Sequence, residues 1–347
     1  MIEQIVKIIS DYREDDLFVK IDEAHVQRWI NQFDEGDREF ILNELLYILP
    51  KSYLSKSAAL DELDTLLETL AEDYKYDTIE NFLDHTVFLR CQDDYKSQSQ
   101  LLLFLDQLLE REYGTSIDNC GNKEVRNWLY IDDILASGGT YKRDIQQKIE
   151  EYGKSEFQKN NIQIISIFFF LHEWGKRNVL YNLQRNLGYS LTDRAKFYRV
   201  FTISNDPIIN KYNKNPTFNH TYPLQTQEGV EFLNFIEKAF ERSYPMTNDQ
   251  YAFRSESMPT KEDFFSSPDN RDRYEKIIVQ KGIEIIKNID NLRVQAIRPL
   301  GFTQPAYKTL GTGSHCFTWR NISNTCPLVY WWEANWYPLF SVQNRGR

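Results

Sequence analysis

Between about residues 83 and 204, short apolar segments alternate with segments of helical periodicity. The apolar segments read HTVFLRC, WLYID, IQIISIFFFL and KFYRVFTISN, and the helical ones QLLLFLDQLLEREY, YKRDIQQKIEEYG and KRNVLYNLQRNL. Continuous apolar runs are typical of strands buried on both faces, and intervening helices connect parallel strands. The alternation therefore predicts an α/β fold with a mainly parallel sheet covered on both faces. Ligands of such sheets bind at the carboxyl ends of the strands.

The regions on either side of this segment show a different residue pattern. Residues 1–80 carry helical apolar spacing in AHVQRWINQF, REFILNELLYIL and ALDELDTLLETLAEDY, and Pro50 ends the second of these helices. Towards the other end, GVEFLNFIEKAFERSY and DRYEKIIVQKGIEIIKNID predict helices ahead of an aromatic-rich tail. We predict a helical region at 1–80, an α/β core at 81–240, and a C-terminal helix and cap at 241–347, packed on that core.

Composition excludes several classes of protein. The formal net charge of -10 argues against broad nucleic-acid binding, which needs a basic surface. The most apolar stretch covers ten residues, too few to span a bilayer. The first fifteen residues show no signal-peptide pattern, and the four cysteines form no CxxC pair. We expect reduced thiols and a cytoplasmic location, without a membrane partner.

The segment YIDDILASGGT, residues 130–140, places two acids and a Gly-rich turn between a predicted strand and a predicted helix. Carboxylates accept hydrogen bonds from sugar hydroxyls or hold water on Mg²⁺. A Gly-rich turn at a helix N-terminus offers backbone N–H groups to phosphate, and Ser137 and Thr140 add hydroxyl donors. Both features suit a single ligand if that ligand is a sugar phosphate.

The same segment resembles the binding motif of type I phosphoribosyltransferases. It matches at Asp132, Asp133, Ile134, Leu135, Ala136, Gly138, Gly139 and Thr140, and Ser137 replaces a Thr while keeping the hydroxyl. The resemblance implies a phosphoribosyltransferase-type sheet that binds phosphoribosyl pyrophosphate, or a nucleotide, with Mg²⁺. Asp132 and Asp133 would be the catalytic acids at the ribose hydroxyls, reaching Mg²⁺ through water, and residues 136–140 would hold the 5′-phosphate. Ala136 stands where purine-using members carry an Asp, which argues against that subgroup.

A pyrophosphate loop is expected after the preceding strand, where CQDDYKSQSQ precedes a helix. The candidate contacts are Lys96, Ser97, Gln98 and Ser99. These residue types also cap helices, so capping stays open as the alternative. His172, directly after IFFFL, is the candidate for contact with a base or for proton transfer.

Several features in the second half of the chain have two interpretations. GTGS at 311–314 reads as a plain turn rather than a phosphate turn, since no helix follows it. Asn205 and Asp206 could line a base pocket or cap a strand. The Trp residues of the tail favour core packing over base stacking.

Type I enzymes carry a long hairpin before the motif strand, whereas about fourteen residues, Gly114 to Asn127, separate helix and strand here. The alternative to an enzyme is therefore a catalytically silent sensor of a phosphoribosyl ligand, or a module that docks to a partner. The flanks VQRWINQF, RPLGF, FTWRNISNTCPLVYWW and WYPLF are similar to phosphoribosyltransferase-like proteins of bacterial anti-phage defence operons. That similarity implies an effector acting by phosphoribosyl transfer or nucleotide cleavage, with protein partners encoded in the same operon. A homo-oligomer is compatible with the sequence.

Overall fold

The computed structural model describes residues 1–93, 96–208, 213–214, 216–243, 245–246 and 251–342. The chain divides into two compact units, residues 1–56 with 203–347, and residues 57–202. The first unit is assembled from both ends of the chain, because strand β1 (Tyr53–Leu54) pairs in parallel with strand β6 (Phe317–Thr318). The regions predicted from the sequence have their boundaries elsewhere, at residues 80 and 240.

The second unit contains a four-stranded sheet and the helices around it. In chain order its elements are α4 (Lys56–Asp73), α5 (Ile79–Asp84), β2 (Thr86–Phe88), α6 (Ser97–Tyr113), β3 (Asn127–Leu135), α7 (Gly139–Tyr152), α8 (Lys154–Lys159), β4 (Gln163–His172), α9 (Glu173–Leu187) and β5 (Ala195–Ile203). A single 3₁₀ turn, Ile117–Asn119, lies between α6 and β3.

The sheet has the strand order β2-β3-β4-β5. Strands β2 and β4 both pair in parallel with β3, with Val87 opposite Trp128 and Leu129 opposite Ile165. Nine of the ten residues of β4 are buried, so both faces of this strand are covered. The predicted α/β class with a parallel sheet is confirmed. The run IQIISIFFFL does not alternate apolar and polar residues because both faces of the strand are buried.

One face of the sheet packs against α7 and α9. Tyr130 of β3 and Tyr141 of α7 meet edge to face at 4.9 Å between ring centroids, and the Tyr141 hydroxyl lies 2.6 Å from the Ser166 hydroxyl of β4. Val179 and Leu183 of α9 belong to the same buried cluster. This layer fixes the start of α7 relative to the end of β3, where the sequence places the acidic motif.

Each helix predicted from apolar periodicity is present. The structure adds α5 and α8, which have six residues each and are too short to show a helical repeat in sequence. None of the helices among the described residues is long and apolar enough to cross a membrane.

The regular elements of the first unit are mainly helices. Its elements are α1 (Ile2–Ile9), α2 (Glu23–Ile30), α3 (Glu35–Ile48), β1, α10 (Gln227–Phe240), α11 (Pro268–Lys287) and β6, with 3₁₀ turns at Leu49–Lys51 and Leu328–Tyr330. The tail after α11 contains only short regular elements over the described residues 288–342. It forms the expected aromatic-rich, mostly non-helical region.

The aromatic tail builds the core of the first unit. Trp29 of α2 stacks on Tyr330 and donates its indole N–H to the Val329 carbonyl at 2.8 Å. The indole N–H of Trp331 likewise donates to the Cys326 carbonyl. These indoles pack as core residues, the more ordinary of the two sequence interpretations.

At GTGS, a Cβ on Gly313 would lie 2.0 Å from the Thr221 carbonyl oxygen, so this segment is a close-packed turn.

A buried ionic network holds α11. Arg271 pairs with Glu262 and, at 2.9 Å, with Glu275, which also pairs with Arg254 at 3.1 Å. The four side chains are between 1% and 4% exposed. Glu275 Oε1 also accepts the Tyr222 backbone N–H. Burial raises the pKa of Glu275, and the two arginines oppose that rise.

We predict that Arg271→Met lowers the free energy of unfolding by about 3–5 kcal/mol, because buried Glu262 loses its arginine and buried Glu275 loses one of its two. Arg273→Met on the same helix is the control, since its pair with Asp37 is half exposed and worth about 1 kcal/mol or less. Urea unfolding followed by tryptophan fluorescence measures both, as five of the seven tryptophans lie in this unit. Equal losses in the two variants would contradict the assigned importance of the network.

Candidate functional site

The motif forms a tight strand–turn–helix connection. Strand β3 ends at Leu135, and Gly138 is the N-cap of α7 with φ +76°, in the left-handed region. A Cβ on Gly138 would lie 1.9 Å from Val179 Cγ2, and one on Gly175 of α9 would lie 1.7 Å from the Ala136 carbonyl oxygen. Glycine is therefore required at both positions, at 138 by backbone conformation and by packing.

The first turn of α7 presents backbone N–H groups beside open space. Gly138 supplies no side-chain cap, and only the Ser137 hydroxyl, at 3.8 Å, comes within 4 Å of a Cβ built on Gly139. The first N–H groups of a helix have no partner within it, and the helix dipole favours an anion there. The first turn of α7 at Gly139 and Thr140, beside the Ser137 hydroxyl, is therefore suited chemically to an anion.

Asp132 is buried at the end of β3 and is held by several hydrogen bonds. Its Oδ1 accepts the Ser97 hydroxyl at 2.7 Å and the Asp133 backbone N–H at 2.9 Å. Its Oδ2 accepts the Gln92 side-chain amide at 3.1 Å and faces the Tyr130 hydroxyl at 3.4 Å. The residue is 8% exposed, so protein donors replace the water it has lost.

Burial away from water, followed by the nearby charge of Asp133, raises the pKa of Asp132 to about 8. The hydroxyl of Ser97 opposes this rise by stabilising the ionised form. A carboxyl group whose pKa lies in the neutral range through burial and a neighbouring acid is typical of functional sites.

Asp133 differs from its neighbour in exposure. Asp132 lies against Tyr130, to which it is hydrogen bonded, and the carboxyl group of Asp133 lies close enough to hydrogen bond to that of Asp132. Asp133 is partly exposed. The two acids are adjacent in sequence but do not have equal access to a ligand.

The predicted pyrophosphate segment lies against the acid pair. Ser97, in the first turn of α6, donates to Asp132, while Gln98 Oε1 accepts the backbone N–H groups of Cys91 and Gln92 at 2.8 and 3.1 Å. The Ser99 hydroxyl donates to the carbonyls of Gln92 and Asp93. Exposed Lys96 lies 3.6 Å from the carboxylate of Asp93. Capping and ligand contact both stay open for this segment, which the structure places beside the motif.

Three further residues, not predicted from the sequence, belong to the hydrogen-bond network around Asp132: Gln92, Tyr130 and Asp144. Asp144 of α7 is 4% exposed and accepts the Tyr130 hydroxyl at 3.1 Å and the Gln92 amide at 3.3 Å. Asp144 was detectable, because it lies on the buried face of α7 with Tyr141 and Ile145. A charged residue on the apolar face of an amphipathic helix requires a buried polar partner.

The remaining candidates differ in their burial and in the unit to which they belong. His172, at the end of β4, is 1% exposed, and burial lowers its pKa to about 3, so its imidazole is neutral at physiological pH. Its base-side role stays a prediction. Asn205 and Asp206 belong to the other unit. Residues 114–126, all described, contain one 3₁₀ turn and no strand, so the short connection expected from sequence has no hairpin.

Mg²⁺ binds proteins through one or two carboxylates and keeps several waters, with substrate phosphates completing its shell. Asp133 is accessible for such a contact, and Asp132 has both oxygens engaged by protein donors. Among the described residues there is no group of three or more His, Cys, Asp or Glu side chains that could hold a metal ion. The acid pair therefore fits an ion held mainly by ligand and water.

The parallel sheet, with an acid pair and a glycine turn at one strand end, is consistent with a phosphoribosyltransferase-like fold. The family model described as PRTase-CE matches residues 26–342, and the chain belongs to this family. Comparison with curated proteins gives no match, and neither does comparison with solved structures.

We predict that Gly138→Ala destabilises the protein by about 2–5 kcal/mol, combining roughly 1–2 kcal/mol for a left-handed residue with roughly 1–3 kcal/mol for overpacking against Val179. Gly139→Ala is the matched control, because its added methyl makes only an ordinary contact with the Ser137 hydroxyl, at 3.8 Å. Chemical denaturation followed by circular dichroism compares the two. A Gly138→Ala protein as stable as the Gly139→Ala protein would rule out the assigned turn geometry.

Proposed function

We propose that this protein binds phosphoribosyl pyrophosphate, or a nucleotide, together with Mg²⁺ at the end of β3. The observation that carries the proposal is the placement of an acid pair beside an open helix N-terminus. Asp133 supplies an accessible carboxylate, and Gly139 marks the space for a phosphate. The bond between Ser97 and Asp132 brings the start of α6 to the same place.

In the proposed complex, the backbone N–H groups around Gly139 and the hydroxyls of Ser137 and Thr140 bind the 5′-phosphate. The acid pair provides a carboxylate that accepts hydrogen bonds from the ribose hydroxyls and would hold Mg²⁺ through water. When bound, Mg²⁺ neutralises charge on the pyrophosphate oxygens.

The proposed reaction is phosphoribosyl transfer, or cleavage of a nucleotide, at the anomeric carbon. Bond breaking there leaves positive charge on the ribose ring, which nearby carboxylates stabilise. The protein's share is orientation of the ligand and electrostatic stabilisation by groups fixed before reaction.

A second function, a sensor that binds the same ligand without turnover, is supported by the connection between α6 and β3. Residues 114–126 contain only a 3₁₀ turn, whereas related enzymes close a long hairpin over the reacting atoms. Without such a cover at this position, water exclusion must come from another segment or transfer is slow. The accessible acid of the pair favours the enzyme.

We further propose that the protein acts as an effector in bacterial anti-phage defence with partners from the same operon. The similarity of the flanking segments to defence-associated proteins supports this role. The part of the first unit that carries those flanks contains the buried core around Trp29 and Tyr330, so these segments have a structural role as well.

We predict that phosphoribosyl pyrophosphate with Mg²⁺ binds the wild-type protein and that Gly139→Trp abolishes binding by filling the phosphate position. Isothermal titration calorimetry measures both. Gly139→Ala is the control, because a methyl group at this position meets no atom closer than 3.8 Å. Equal affinity of the wild-type protein and the Gly139→Trp variant would refute the site.

We predict turnover that falls about tenfold or more in Asp133→Asn at saturating ligand. Losing one charged hydrogen bond costs about 1.5–3 kcal/mol, or roughly ten- to 150-fold in rate if the loss falls on the transition state. Pyrophosphate release and base exchange over a panel of bases and nucleotides are the readouts. Binding through this motif without turnover of any panel member, with operon partners present, would establish the sensor instead.

We predict that the defence role depends on the acid pair. Cells expressing the operon should resist phage or arrest growth on infection, and the double variant Asp132→Asn, Asp133→Asn should lose that response. Plaque counts and growth curves, with immunoblots to match expression, compare the strains. If the double variant protects cells fully, the defence role does not depend on ligand chemistry at this site.

A further inference from the structure

The structure assigns different tasks to the two acids of the motif. We propose that Asp132 is an internal positioning residue, held by Gln92 and Tyr130, which also bind Asp144, and that Asp133 alone contacts the sugar hydroxyls. The second half of this inference rests on the proposed function. The first half concerns the protein without ligand.

The hydrogen bonds of Asp132 leave it little capacity for a ligand. Its Oδ1 already accepts from Ser97 and from the Asp133 backbone, and its Oδ2 accepts from Gln92. With 8% exposure, Asp132 can meet ribose only after one of these donors is displaced. Asp133 is partly exposed, so it reaches a ligand at no such cost.

Asp144 is the second anchor of the same network. The Tyr130 hydroxyl and the Gln92 amide each lie within hydrogen-bonding distance of Oδ2 of both Asp132 and Asp144. Arg143 lies 3.3 Å from the other oxygen of Asp144, although its side chain is 62% exposed. Two buried carboxyl groups therefore share two neutral partners, and removing either acid releases those partners from a fixed position.

Gln92 links this network to the start of α6. Its backbone N–H is held by Gln98 and its side chain by the two acids, while Ser97 binds Asp132 from the first turn of the helix. The segment beside α6 is thus fastened to the motif through Asp132. Loss of Asp144 should loosen this segment even though Asp144 lies on a different helix.

The test begins with hydrogen–deuterium exchange of the protein without ligand, read in peptides containing Cys91 and Gln92. Asp144→Leu, which has similar volume and no acceptor, should speed exchange there about tenfold or more. Asp144→Asn keeps one acceptor oxygen and should restore most of the protection. Asp133→Asn, the matched control, should exchange like wild type.

Calorimetric titration of the same variants with phosphoribosyl pyrophosphate and Mg²⁺ completes the test. Asp133→Asn should weaken binding about tenfold or more with unchanged exchange, whereas Asp144→Leu should change both. Wild-type exchange in Asp144→Leu overturns the positioning role. Weakened binding in Asp132→Asn without faster exchange shows that Asp132 itself contacts the ligand. If the wild-type protein does not bind phosphoribosyl pyrophosphate, the proposed function and the role of Asp133 as sugar contact are both wrong. The exchange data still decide whether Asp132 is a positioning residue.

Discussion

A carboxyl group held away from water at the end of a strand must find its hydrogen bonds within the protein, and Asp132 imposes that constraint on the second unit. Ser97, Gln92 and the Asp133 backbone satisfy it. These partners come from the start of α6, from the segment before it, and from β3 itself. The position of the pyrophosphate candidate segment is thus a consequence of burying one acid.

The sequence was most informative where residue pattern and fold depend on the same physics. The apolar run at 163–172 gave a buried strand because both of its faces are covered, and the amphipathic segments gave helices. The motif lies at the predicted strand–turn–helix junction, with Gly138 in the left-handed region as the turn demands. Family membership over residues 26–342 agrees with the resemblance seen in this short segment.

Other features needed the tertiary structure, since they depend on contacts far apart in sequence. The pairing of β1 with β6 joins Tyr53 to Phe317 across most of the chain, and no local pattern encodes it. The inward direction of Asp132 depends on Ser97, and Gln92 is recognisable only beside Asp144. The unequal exposure of Asp132 and Asp133 depends on Ser97 and Gln92, which cover Asp132 from other parts of the chain.

The division of the chain also orders events during synthesis. Residues 57–202 form a continuous unit, whereas the other unit needs residues from both ends, including β6. Domains made early on the ribosome generally fold as units before the rest of the chain appears. The unit with the acidic motif therefore has all of its residues before the aromatic tail is made, while α1, α2 and α3 wait for Tyr330 and its neighbours to complete their core. A chain truncated before residue 317 would keep the whole motif unit and leave the N-terminal helices with exposed apolar surface, a species prone to aggregation and proteolysis.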